Sequence, residues 1–123
     1  MTIEELRQLE KELAGRRVQL GEFLAISKRE EELAALEAKM NAPDFWNDKE
    51  AAQATIAAMT SCRNVLEPYR KLASGLDDLT TALELAEAEP EFLSECEDEA
   101  KQLAATMHNQ ERVRRQVSRK SSR

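Results

Sequence analysis

The chain has 123 residues, of which 34% are charged and 4% aromatic, with three glycines and three prolines. That is one domain's worth of sequence built from long helices, and it excludes a turn-rich β fold. The net charge of −6 is uneven: six of the 18 basic residues lie in 112–123 with no acid among them, which leaves twelve against all 24 acidic residues in the rest. An acidic body of this kind is a poor generic binder of nucleic acid.

In chain order, Ile3, Leu6, Leu9, Leu13, Leu20 and Leu24 recur mostly at helical spacing, interrupted by Gly15 and Gly21. A second stripe, Ile26, Leu33, Leu36 and Met40, predicts a second helix. Ser27 with Glu30 has the spacing of a capping box, so a bend is expected within residues 21–27. Pro43 ends this run, because the residue before a proline disfavours helix.

The segment Pro43-Asp44-Phe45-Trp46-Asn47-Asp48 holds the only Trp of the chain. Pro43, Phe45, Trp46 and Asn47 are expected to form a structural corner between helices, with at least one of the two rings largely buried. The next helix is expected to start at Asn47 or Asp48, with Asn47 and Glu50 as a capping box. Its stripe runs Ile56, Met59, Cys62, Leu66, Tyr69, Leu72, Leu76, Leu79, Leu83, Ala86 in steps of three or four. Pro68 predicts a kink or a break within it, and Gly75 weakens it further.

The link at residues 87–91 is short and acidic, and Pro90 suits the first turn of a last helix. That helix carries Leu93, Cys96, Ala100, Leu103, Met107, Gln110, Val113 and Val117, and so short a link makes it antiparallel to its predecessor. Residues 118–123 are expected to fray. The fold class expected is all-α, an elongated antiparallel bundle of three to four helices. Residues 1–111 form the helical domain and 112–123 a basic, partly disordered tail. The interruptions at Gly15, Pro68 and Pro90 favour intramolecular packing of the Leu stripes over a coiled-coil dimer seam.

No catalytic constellation is legible. His108 is the only histidine and reads as a solvated helix residue. Cys62 and Cys96 make neither a zinc framework nor a disulfide scaffold and read as reduced apolar residues, in keeping with a cytoplasmic location. Only a thiol-dependent activity at Cys62 would support an enzyme reading. Glu95, Glu97, Asp98 and Glu99 lack the spacing of a calcium loop. No cofactor, metal, small-molecule substrate or membrane association is expected. Arg112, Arg114, Arg115, Arg119 and Lys120 are candidate partner contacts, either for RNA phosphates or for an acidic protein surface; the same cations also suit a helix C-terminus with no partner at all.

Residues of about 20–105 resemble the N-terminal helical domain of the bacterial peptide chain release factor 2 family. The resemblance begins at Leu20-Gly21-Glu22-Phe23-Leu24 and continues through Lys28-Arg29-Glu30-Glu31-Glu32-Leu33. It is most specific at Pro43-Asp44-Phe45-Trp46-Asn47-Asp48, which is similar to the family's Pro-Asp-x-Trp-Asn/Asp signature. Gly75-Leu76-Asp77-Asp78-Leu79 and Leu83-Glu84-Leu85-Ala86 are similar to its long third helix. The family's Gly-Gly-Gln and Ser-Pro-Phe motifs are absent from this sequence, and Pro68 departs from a helix the family keeps continuous. The resemblance fades after about residue 106. It implies a non-catalytic arm that contacts the ribosome near the stalk base, with contact to RNA through the tail left open. The alternative is a helical coiled-coil adaptor or scaffold unrelated to the ribosome.

Overall fold

The computed structural model describes the backbone of residues 1–121 and the side chains of residues 1–113. Four helices follow one another: α1 (Ile3–Phe23), α2 (Ile26–Met40), α3 (Lys49–Ala88) and α4 (Leu93–Ser121). Short 3-10 turns at Phe45–Asn47 and Pro90–Phe92 lead into α3 and α4. The all-α antiparallel bundle expected from the periodicity is what forms.

The 40-residue α3 is the spine, roughly 60 Å long at the helical rise. Helices α1 and α2 run back along it one after the other, and α4 returns beside α1. At one end Leu6 packs with Leu79, Leu83, Ala86, Cys96 and Ala100. In the middle Leu13 and Leu20 meet Leu72, Leu76 and Met107. At the other end the core is made by two helices only, Ile26 and Leu33 of α2 against Met59, Cys62 and Leu66 of α3. The bundle is thus three helices thick over α1 and tapers to a two-helix hairpin at α2–α3.

Several local expectations change. The bend between α1 and α2 falls at Leu24–Ala25, where Ala25 takes the left-handed conformation (φ 53°, ψ 49°), and α2 begins without a side-chain cap. Ser27 is therefore inside α2 and caps nothing; the left-handed residue breaks the helix locally, and α2 continues in the same direction along α3. The box that does form is at α1: Thr2 accepts from the Glu5 amide and Glu5 from the Thr2 amide. At α3 the cap is Asp48, accepting from the Ala51 amide at 3.1 Å, and not Asn47.

Pro68 does not break α3, which runs through it. The Pro68 carbonyl accepts a hydrogen bond of 3.1 Å from the Gln110 side chain of α4. This contact ties α4 to α3 beside the proline, while the carbonyl that the missing Pro68 N–H leaves without its helical partner is that of Asn64. The buried stripe of α3 begins at Ala52 and Thr55, leaving Ile56 40% exposed. The Thr55 hydroxyl donates to the Ala51 carbonyl, so its burial leaves no polar atom unpaired. The α4 stripe stops at Gln110, because Val113 is 60% exposed. The Val117 side chain lies outside the described residues; the backbone of residues 118–121, expected to fray, is helical to Ser121, and residues 122–123 are not described.

Candidate interaction surfaces

The corner between α2 and α3 is tightly built. The Phe45 amide donates to the Ala42 carbonyl and the Asn47 amide to the Asp44 carbonyl, both at 3.1 Å, closing the 3-10 turn. The Asp48 cap then starts α3. Within this frame Pro43 and Asn47 are exposed, Phe45 is half-buried and Trp46 is 65% exposed. The Phe45 and Trp46 rings meet edge to face, with centroids 4.8 Å apart at 84°.

The expectation of a buried anchor fails for Trp46, while Phe45 is the more covered of the two rings. The α2–α3 hairpin already closes over Ile26, Leu33, Met59, Cys62 and Leu66. A three-residue turn at its tip has no third helix to cover it. The indole is left in solvent, braced by its neighbour. Composition could place these residues at a corner; the absence of a covering element there was not legible from periodicity.

Against the Phe45 ring lies an open groove of about 390 Å³, lined by Lys39, Asp44, Phe45, Asp48, Ala51 and Thr55, among others. Asp44 stands at the N-terminal position of the 3-10 turn without making a side-chain cap. Among the described residues its carboxylate has no hydrogen-bond or ion-pair partner.

The second candidate surface is the basic end of α4. Arg112 is exposed. The side chains of Arg114, Arg115, Arg119 and Lys120 lie outside the described residues, so only their place on a helix reaching Ser121 is established. Just before them, Arg16 of α1 makes a two-pronged ion pair with Glu111, through Nε at 3.1 Å and through Nη2. That pair lifts the Arg16 guanidinium pKa above its ordinary value, chiefly by the hydrogen bond to Glu111. It fixes α4 against α1 where the basic stretch begins.

The remaining reactive groups have structural surroundings. The Cys62 and Cys96 thiols are free and 1–2% exposed. Burial pushes both pKa values up, Glu32 adding to the effect at Cys62 and Glu99 and Glu95 at Cys96. A low-pKa reactive thiol needs the opposite environment. His108 is exposed on α4. Glu97 takes the N-terminal ammonium at 3.0 Å and Lys101 at 3.1 Å, contacts that hold its carboxyl below the usual range. Among the described residues no group of three or more His, Cys, Asp and Glu side chains is placed to hold a metal ion. No helix among them is long and apolar enough to cross a membrane.

Comparison with known proteins adds the family. Residues 29–122 match the model of the PCRF domain. Peptide chain release factor 2 of Exiguobacterium sp. is 31% identical over 91 residues, 74% of this chain and 25% of the relative. The protein of the same name from Listeria innocua is 30% identical over 108 residues, 84% of this chain and 30% of the relative. That of Petrotoga mobilis is 30% identical over 78 residues, 63% of this chain and 21% of the relative. The chain therefore spans between about a fifth and a third of the length of these curated relatives. The family match also extends through residue 122, past the point near residue 106 where the motif resemblance fades. Motif reading loses α4 there because a Lys/Arg/Glu-rich helix has no signature residue to recognise.

Proposed function

The chain belongs to the PCRF domain family, and on that premise we propose that it serves translation termination as a non-catalytic, ribosome-binding domain like that of the peptide chain release factor 2 relatives it matches. The observation that carries this reading is the family match over residues 29–122, which takes in the α2–α3 corner and the basic end of α4 together. The thiols are buried, the lone histidine is exposed, and the three glycines are isolated from one another.

Such a domain acts by position. Binding energy spent on a rigid arm fixes the orientation of whatever is attached to it, and orientation alone supplies several kcal/mol to a reaction performed elsewhere. In this reading the arm works in the cytoplasm and meets the ribosome near its stalk base. The acidic body, residues 1–111, faces basic ribosomal protein, and the cationic stretch of residues 112–123 binds RNA phosphate.

Co-sedimentation with ribosomes tests this. The full chain pellets with ribosomes at low salt. A chain of residues 1–111, shown by circular dichroism to remain helical, binds more weakly and with a flatter salt dependence. The slope falls by about 0.7–0.9 for each phosphate that the shorter chain leaves unneutralised. Equal binding of the two chains across the titration removes the tail from the interface. Absence of the full chain from the pellet at every salt concentration overturns ribosome binding. Stop-codon-dependent release of formyl-methionine by this chain alone overturns the non-catalytic assignment.

A further inference from the structure

We propose that the α2–α3 corner is a docking site for a basic protein segment, with an arginine or lysine side chain entering the groove between Asp44 and Asp48 and an adjacent apolar group resting on Trp46. The proposal deepens the ribosome-binding reading by naming the chemistry of one contact, and it rests on that reading for the source of the segment.

Four observations converge on it. The indole is 65% exposed although every apolar core residue nearby is buried, so it is not held there by the fold. An exposed, braced Trp is the side chain most often found at the energetic centre of a protein interface, and its face also attracts cations. The groove is lined by Phe45, the ring that Trp46 packs against, with Ala51 and Ala54 as further apolar lining and two carboxylates, Asp44 and Asp48, against the single cation Lys39. The stem of a long basic side chain fits such a lining while its head reaches the acids.

The helix ends agree in sign. The groove lies where α2 ends, and the partial negative charge of a helix C-terminus favours a cation. The opposing field of the α3 N-terminus is offset in part by the Asp48 cap, whose Oδ1 accepts from the Ala51 amide, so Asp48 has one oxygen left for a ligand and Asp44 both. The Asp44 carboxylate, unpaired among the described residues, gives up no intramolecular bond when it takes a ligand. RNA is the poorer occupant, because a base stacked on Trp46 would bring its phosphates toward Asp44, Asp48 and Glu50 in a body that already carries excess acid.

Trp46 is the only Trp of the chain, so its fluorescence reports on this corner alone. Titrating the full chain with a nona-arginine peptide is expected to change the Trp46 emission saturably. The D44N/D48N variant, which keeps an Asn able to cap α3, needs at least about threefold more peptide. The K39A variant needs less. Poly(U) leaves the emission unchanged. With ribosomes, Trp46→Ala is expected to weaken association by about tenfold or more while leaving the melting temperature in place.

Emission that ignores nona-arginine, or a D44N/D48N titration equal to that of the parent, overturns the site. Emission that responds to poly(U) makes the corner an RNA-stacking surface and overturns the protein partner. If the parent pellets with ribosomes and Trp46→Ala pellets equally, the corner is not the ribosomal contact. If the parent never pellets, the functional reading fails, and the peptide titration alone decides whether the groove takes cationic side chains.

Discussion

Tyr69 of α3 lies directly over Gly21 of α1: a Cβ built at Gly21 would stand 2.5 Å from the Tyr69 hydroxyl oxygen and 3.0 and 3.3 Å from two of its ring carbons. The hydroxyl reaches the Arg17 carbonyl one turn earlier at 3.5 Å, a long contact. Gly21 is therefore a place where two helices approach closely around a ring, whereas a Cβ at Gly15 would meet nothing within 4 Å.

The two glycines should respond oppositely to alanine. Gly15→Ala stabilises the chain by about 0.5–1 kcal/mol, the helix-propensity gain. At Gly21 the same gain is offset by overpacking, which costs about 1–3 kcal/mol, so Gly21→Ala lowers the urea midpoint. In a Tyr69→Ala background Gly21→Ala becomes stabilising. A double-mutant cycle showing no coupling between the two positions would remove the steric account.

Trp46 and Leu79 should differ sharply in their weight on stability. Leu79 is fully buried, and Leu79→Ala is expected to cost about 2–5 kcal/mol. Trp46, 65% exposed, falls among surface positions, and Trp46→Ala stays within about 0.5 kcal/mol of the parent. Thermal melts of both variants check this, and a large drop for Trp46→Ala would place the indole in the core after all.

Ala25 and Ala57 give a backbone test. Ala25 is left-handed, with φ 53°, where a side chain is strained and glycine is not. Relief of that strain offsets the extra chain entropy of glycine, so Ala25→Gly leaves stability level or raised. Ala57, exposed within α3, has no such strain, and Ala57→Gly costs about 1 kcal/mol. Equal losses at the two sites would argue against a strained hinge between α1 and α2.

The buried thiols predict a decline in stability at alkaline pH. Folding raises the pKa of Cys62 and Cys96, chiefly by desolvation. The folded state therefore prefers the neutral thiol, and the unfolded chain ionises first. The contribution is complete below the unfolded thiol value of about 8.5 and is lost as pH rises from there through the folded value. Urea midpoints measured between pH 7 and pH 10 should fall more for the parent than for a Cys62→Ala/Cys96→Ala variant. Iodoacetamide should modify the parent only under denaturing conditions. Rapid native alkylation would show that the thiols are accessible.

Much of this protein was legible in its sequence. The three- and four-residue steps of Leu6, Leu9 and Leu13, of Leu33, Leu36 and Met40, of Leu72, Leu76, Leu79 and Leu83, and of Cys96, Ala100, Leu103 and Met107 determine four amphipathic helices, because a helix repeats its face at that spacing whatever it packs against. The short link at Pro90 determines that α4 runs back along α3. The Pro-Asp-Phe-Trp segment is the most specific point of the family resemblance and lies within the residues that the family model matches. What the sequence left open is set by which elements lie side by side. Pro68 reads as a helix breaker, yet α3 continues through it, with Leu66 and Leu72 on either side buried against the rest of the bundle. Gly21 reads as a weak point in a helix and is a seat for Tyr69. Trp46 reads as core by its chemistry, but its burial depends on whether a third helix passes the hairpin tip. Periodicity reports the face a helix offers, and only the tertiary arrangement decides whether another element arrives to cover it.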